Sequence, residues 1–239
     1  MEILTLIWQQ YLYIPLFNFL IWLYLNYSYD NLGVAVIILT VILRIILLPF
    51  TIISERGKII SQRLKKDLEQ IKKDYAHDPV GRKKVVRHFL KKKRIRPWAK
   101  AVVLAVQGLV LVLLYQVFLG GINTEAKLHL LYPGIPRPDF IYTKFLWFNI
   151  ASRDYIIAAV VAGYIFGQFI IRALDKSHQA NKKEQIYGLL FPAFVFLILI
   201  ILPSVKSIFI LTSLIFSSII SAIVGLVRFS LTKATKKKS

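Results

Sequence analysis

The chain has 239 residues, 56% of them hydrophobic, with a mean hydropathy of +0.60 and a net charge of +20. So much apolar side chain cannot be housed in one soluble core, which excludes an ordinary globular protein and predicts an all-α integral membrane protein. The absence of cysteine excludes a disulfide framework, a cysteine-ligated metal and a lipoprotein anchor on an N-terminal cysteine.

Residues 1–31 come first. The start MEILTLIWQQ lacks a positive n-region, so a cleavable signal peptide is not expected. The stretch is apolar and aromatic, is interrupted by Pro15, and carries Asn18, Asn26 and six Tyr or Trp residues between Tyr11 and Tyr29. That pattern predicts an interfacial amphipathic helix on the outer side, with a sixth span as the alternative.

Residues 32–50, LGVAVIILTVILRIILLPF, predict the first span and carry Arg44. An ionisable side chain inside a span costs about 2.5–3.5 kcal/mol on insertion scales, so Arg44 by default points to a water-filled cavity or an intramembrane partner. Snorkelling is the competing explanation, since Phe50 lies only about 9 Å further along the helix and the arginine stem is long.

Residues 51–97 predict a cytoplasmic antiparallel helical hairpin. Ile60, Leu64, Leu68, Ile71 and Tyr75, then Val85, Val86, Phe89 and Leu90, mark two narrow apolar stripes. His77, Asp78, Pro79 and Gly81 break the pattern between them, with Asp78 placed to cap the second helix. Lys91, Lys92, Lys93, Arg94 and Arg96 follow directly. They either fix topology and touch anionic lipid head groups, at about 1 kcal/mol per charge, or contact ribosomal RNA phosphates. The tail residues Lys236, Lys237 and Lys238 allow the same two readings. Neither run has interleaved aromatics, so no specific nucleic-acid sequence is expected as a partner.

The second span, 98–119, places Gln107 and Tyr115 on one face. An amide in hydrocarbon seeks a partner, and a groove shared with Arg44 would supply one. An outer loop (120–154), a third span (155–174), a cytoplasmic loop (175–185) and a fourth span (186–202) follow. A short PSVKS turn opens the segment 203–227, so the fifth span should run antiparallel to the fourth. Within it Ser213, Ser217, Ser221 and Gly225 recur at every fourth residue, either as a close-packing stripe or as a polar face. Residues 228–239 form a basic tail.

Lys and Arg set the orientation. Residues 55–100 hold 17 of them, residues 172–186 four and residues 228–239 five, against none in 1–33, four in 120–154 and Lys206 alone in the last turn. Five spans with the N-terminus outside and the C-terminus in the cytoplasm satisfy this bias.

Catalytic chemistry is not indicated. His77, His88, His129 and His178 lack ligand spacing, and no phosphate-binding glycine loop or nucleophile elbow occurs. No acidic residue lies well inside a span, which disfavours an ion-driven transporter. Neither an enzyme, a metal nor a cofactor is expected.

The order and spacing of these segments resemble the YidC/Oxa/Alb family of membrane protein insertases, as a divergent bacterial member, from about Tyr13 to Ile223. YIPLFNFLIWLY followed by GVAVIILTVILRIILLPF looks like the family's outer amphipathic helix and arginine-bearing first span. KKDYAHDPVGRKK is similar to its hairpin turn, and Pro97, Gln107 and Tyr115 match its second-span pattern. FLWFNIASRDYI looks like its approach to the third span, and Pro192 and Pro203 fall at prolines in and after the fourth. The chain departs from the pattern where Lys100, Ala101, Val102 and Val103 replace a Gly-Cys-x-Pro group. It departs again where Phe209, Ile210, Leu214 and Ile220 replace a fifth-span Tyr-Trp pair and later Asn and Gln.

The resemblance implies a hydrophilic intramembrane groove formed by Arg44, Gln107, Thr40, Tyr115, Ser213 and Ser217, in the bacterial cytoplasmic membrane. It implies as partners nascent membrane proteins, the ribosome, anionic lipids and the general secretory translocon. Two other classes stay open on the residues: a basic scaffold or assembly chaperone that tethers ribosomes or partner subunits without a groove, and a small-molecule flippase or channel.

Overall fold

The computed structural model describes residues 2–63, 71, 74–92, 98–174 and 182–236. Among these residues the secondary structure is helical apart from one two-stranded hairpin. The chain divides into two compact units, residues 1–43 with 109–214 and residues 44–108 with 215–239.

The first unit opens with α1 (Glu2–Ile7), a π-helical turn (Trp8–Tyr13) and α2 (Ile14–Tyr27). Pro15 has no N–H to give the carbonyl four residues back and its ring crowds that turn, so a widened turn just before it relieves both constraints. One face of α2 is buried through Phe17, Leu20, Ile21, Leu23 and Tyr24. Polar atoms fix its position. Asn18 Nδ2 donates to the carbonyls of Ile14 and Leu130 (both 2.9 Å), and its Oδ1 accepts from the Tyr132 N–H at 2.7 Å. The Tyr24 hydroxyl accepts from the Tyr142 N–H at 3.1 Å, and Trp8 Nε1 donates to Gln116 Oε1 at 2.7 Å. With both N–H donors and its oxygen engaged, Asn18 is a satisfied buried polar group rather than a cost.

Tyr29 and Asp30 turn the chain in left-handed backbone, φ 51 and 56, a conformation that costs a side-chain-bearing residue about 1–2 kcal/mol. Asn31 then caps α3 (Leu32–Ile46), its Oδ1 accepting from the Gly33 and Val34 N–H groups at 3.0 and 3.2 Å.

The helix α6 (Trp98–Phe118) ends in the first unit at Gly120 and Gly121, whose φ of 76 and 90 suits glycine. Lys127, in the short helix α7 (Glu125–Leu128), closes that helix end. Its Nζ donates to the carbonyls of Val117 and Leu119 (2.6 Å each) and Gly121 (2.8 Å). A cation at a helix C-terminus meets both the unpaired carbonyls and the dipole. Burial pushes this ammonium below the ordinary lysine value, and the three carbonyls oppose that by holding the charged form.

Beyond the loop, β1 (Lys144–Phe145) and β2 (Phe148–Asn149) pair antiparallel with Leu146 and Trp147 as a two-residue connection. Asp154 caps α8 (Tyr155–Leu174), accepting from Ile156 and Ile157 N–H at 2.8 and 3.0 Å. α8 packs against α9 (Lys182–Ile201) around Ala158, Val161 and Leu199. Ile210, Leu211 and Leu214 of α10 (Val205–Lys236) lie against the same cluster. The start of α10 is tied back by Val205 N–H to Ile150 O at 2.9 Å, and by Ser204 N–H and Oγ to Ser152 O, both at 2.8 Å.

The second unit contains α4 (Leu48–Arg63), α5 (Pro79–Lys92), the first half of α6 (Trp98–Phe118) and the distal part of α10. Asp78 caps α5 as its position in the sequence predicts: Oδ1 accepts from Val80 and Gly81 N–H at 3.1 and 2.9 Å. A β-carbon at Gly81 would collide with that carboxylate, which accounts for the glycine. Phe50 and Trp98 meet edge to face at 5.9 Å.

Among the described residues, three helices are long and apolar enough to cross a membrane: Thr5–Tyr27, Trp98–Phe118 and Val205–Val227. A fourth is the pair Leu32–Ile46 and Leu48–Glu55, bent by 62°. Pro49, whose missing N–H cannot continue α3, lies just past this break. Tyr155–Ile171 and Gln185–Ile201 are shorter apolar helices. The N-terminal helix, expected in the interface, thus has the length and composition of its alternative, a span.

Candidate functional site

Arg44 lies in the last turn of α3, where a cation is favoured by the helix dipole. It is only 5% exposed. Its Nη1 donates to Ser217 Oγ of α10 at 3.1 Å, while its Nε is buried with no hydrogen-bond partner. A guanidinium has five N–H donors and no acceptor, so the unpartnered Nε leaves part of its demand unmet. An incompletely paired cation in a span is costly to keep, and such positions by default mark a site rather than a scaffold.

The serine register of α10 therefore splits by role. Ser217 holds the arginine, and Ser213 is buried with an Oγ that has no partner. Thr40 is fully buried and spends its hydroxyl on the Val36 carbonyl of its own helix at 2.6 Å, the local back-bonding usual for threonine in helices. Gln107 is half-buried on α6. At Tyr115 the buried Lys206 ammonium stands 3.8 Å from the ring centroid, a cation–π contact. Nothing in the local sequence of Lys206 marks it as an aromatic partner.

The basic run is only partly described. Lys91 and Lys92 end α5 and Lys236 ends α10, whereas Lys93, Arg94, Arg96, Lys237 and Lys238 lie outside the described residues.

Comparison with known proteins adds a second line. The family model described as "60Kd inner membrane protein" matches residues 22–229. The chain is 33% identical over 138 residues to "Membrane protein insertase YidC" of Clostridium tetani, covering 58% of this chain and 54% of that protein. It is 27% identical over 185 residues to the protein of the same name from Fusobacterium nucleatum, covering 77% of this chain and 80% of that one. A third, from Anaeromyxobacter dehalogenans strain 2CP-C, is 24% identical over 72% of this chain but only 29% of its own length. The chain thus spans about half the length of the first of these relatives. With the family model matched over most of its length, this chain belongs to the 60Kd inner membrane protein family, the YidC/Oxa group.

Proposed function

We propose that this chain is a membrane protein insertase, which guides nascent membrane proteins from the cytoplasm into the bilayer through a hydrophilic groove bearing Arg44. The observation that carries this reading is the state of Arg44: buried, bonded to the Ser217 hydroxyl, and with an unpaired Nε. Such a cation attracts an acidic residue in a translocated segment, because a unit charge pair at 4 Å gains about 4 kcal/mol at an effective dielectric of 20.

In this reading the arginine draws the acidic tail of a client part of the way into the membrane. The client's own apolar helix then leaves for lipid, at about 25 cal/mol per Å² buried. The membrane potential assists outward movement of an acidic tail by about 2.3 kcal/mol per charge per 100 mV. No nucleotide is required. Ser217 orients Arg44, and Gln107 supplies further polar wall.

The accompanying architecture is five spans, with the N-terminus outside, the C-terminus in the cytoplasm and residues 51–97 as a cytoplasmic hairpin that receives the client. The exposed Lys83, Lys84 and Arg87 of α5 favour ribosomal RNA or anionic lipid as its contacts. They equally suit a basic scaffold without a groove, the second reading. Cysteine placed at 217 or 107 in this cysteine-free chain separates the two. A wet groove makes both positions reactive to a water-soluble thiol reagent added from the cytoplasmic side, and a scaffold leaves both inert.

A further inference from the structure

Two turns at the start of α3 break the same local rule. Tyr29 (φ 51) and Leu146 (φ 52) take left-handed backbone, although neither is glycine or asparagine, the residues that accept it readily. Leu146 is the first residue of the two-residue β1–β2 connection, where a positive φ ordinarily selects glycine. Both turns also hold large side chains away from the protein: Tyr29 is 100% exposed, Leu146 66% and the adjacent Trp147 56%.

These turns are fixed in place. Asn31 Nδ2 donates to Lys144 O at 3.5 Å and the Leu32 N–H to Tyr142 O at 3.3 Å. The Phe145 ring occupies the space that a β-carbon at Gly33 would need. The fold therefore presents Tyr29, Leu146 and Trp147 from a rigid base, Tyr29 and Leu146 in strained backbone, with much of their apolar surface uncovered. In water that combination gains nothing. At a membrane interface it buries all three side chains.

Their position identifies the surface that covers them. The turns sit beside the first residues of α3 and, through the Val205–Ile150 bond, beside the first residue of α10. Both helices open segments apolar enough to cross a membrane, so the turns stand where hydrocarbon gives way to head groups. That is the level at which tryptophan and tyrosine rings partition. We propose that Tyr29, Leu146 and Trp147 form a lipid anchor, inserted in the interfacial zone of the bilayer, that sets the depth of α3 and α10.

The test uses the full chain in phosphatidylcholine–phosphatidylglycerol vesicles with Trp147 as sole tryptophan, through Trp8→Phe, Trp22→Phe and Trp98→Phe. The expected result is blue-shifted emission, strong quenching by acyl-chain-brominated lipid, and protection from aqueous iodide. Iodide quenching equal to that of a free tryptophan amide, with no effect of brominated lipid, overturns the proposal by placing the turn in water. Protection from both quenchers overturns it in favour of a protein partner. Because Trp8→Phe removes the bond to Gln116, Leu146→Cys and Tyr29→Cys carrying a nitrobenzoxadiazole label repeat the measurement with all four tryptophans retained. Both labels are expected to respond to brominated lipid, and labels in water overturn the anchor.

Discussion

Arg44 and Ser217, 173 residues apart in sequence, share a hydrogen bond of 3.1 Å between guanidinium Nη1 and hydroxyl, while the arginine Nε stays buried and unpaired. The serine orients the cation without neutralising it. A carboxylate in the same place would have satisfied and neutralised it.

Ser217→Ala separates these two effects. Loss of this bond is expected to destabilise the protein by about 0.6–2 kcal/mol, measured by thermal unfolding in detergent, since bonds to charged groups lie at the upper end and bonds within membranes at the lower end of that range. Insertion of acidic-tailed clients should fall less than with Arg44→Ala, because the charge remains.

Asn18→Ala should loosen the N-terminal helix. It removes three part-buried hydrogen bonds, to Ile14, Leu130 and Tyr132, at about 1–3 kcal/mol in all. Faster proteolysis of the 128–142 loop in the variant is the expected readout.

Lys127→Met tests the capping of α6. Three carbonyls lose their donor, and the helix end loses a favourable cation, so unfolding in detergent should move by about 1–3 kcal/mol. Lys127→Arg should recover part of the loss.

Gly33→Ala forces a methyl group against the Phe145 ring and should cost about 1–3 kcal/mol, as overpacking does. Phe145→Ala in the same chain is expected to suppress that cost. Additive losses in the double variant would show that the ring and the glycine do not meet.

Much of this arrangement is legible in the residues. The Asp78 cap and the break after Tyr75 follow from turn chemistry, and Arg44 stands out because one cation interrupts nineteen residues of spanning pattern. Helix ends are less legible. A window of hydropathy treats 32–50 as one span, whereas the chain bends by 62° beside Pro49. The candidate site is legible as residue types and not as partners. A four-residue serine period does not say which hydroxyl meets the arginine, and Thr40 looks as polar as Ser217 although its hydroxyl is spent within its own helix. Lys206 and Tyr115 pair across 91 positions of sequence with no local signal at either.

The most direct test is insertion of a single-span protein with an acidic outer tail into liposomes containing this chain, scored by protease protection. The account predicts protection that depends on the chain and falls about tenfold with Arg44→Ala, equivalent to about 1.4 kcal/mol of lost attraction, with a smaller fall for a neutral tail. Protection no better than that of empty liposomes, with the protein folded and oriented, would contradict it. An equal fall for acidic and neutral tails would reduce Arg44 to a structural residue.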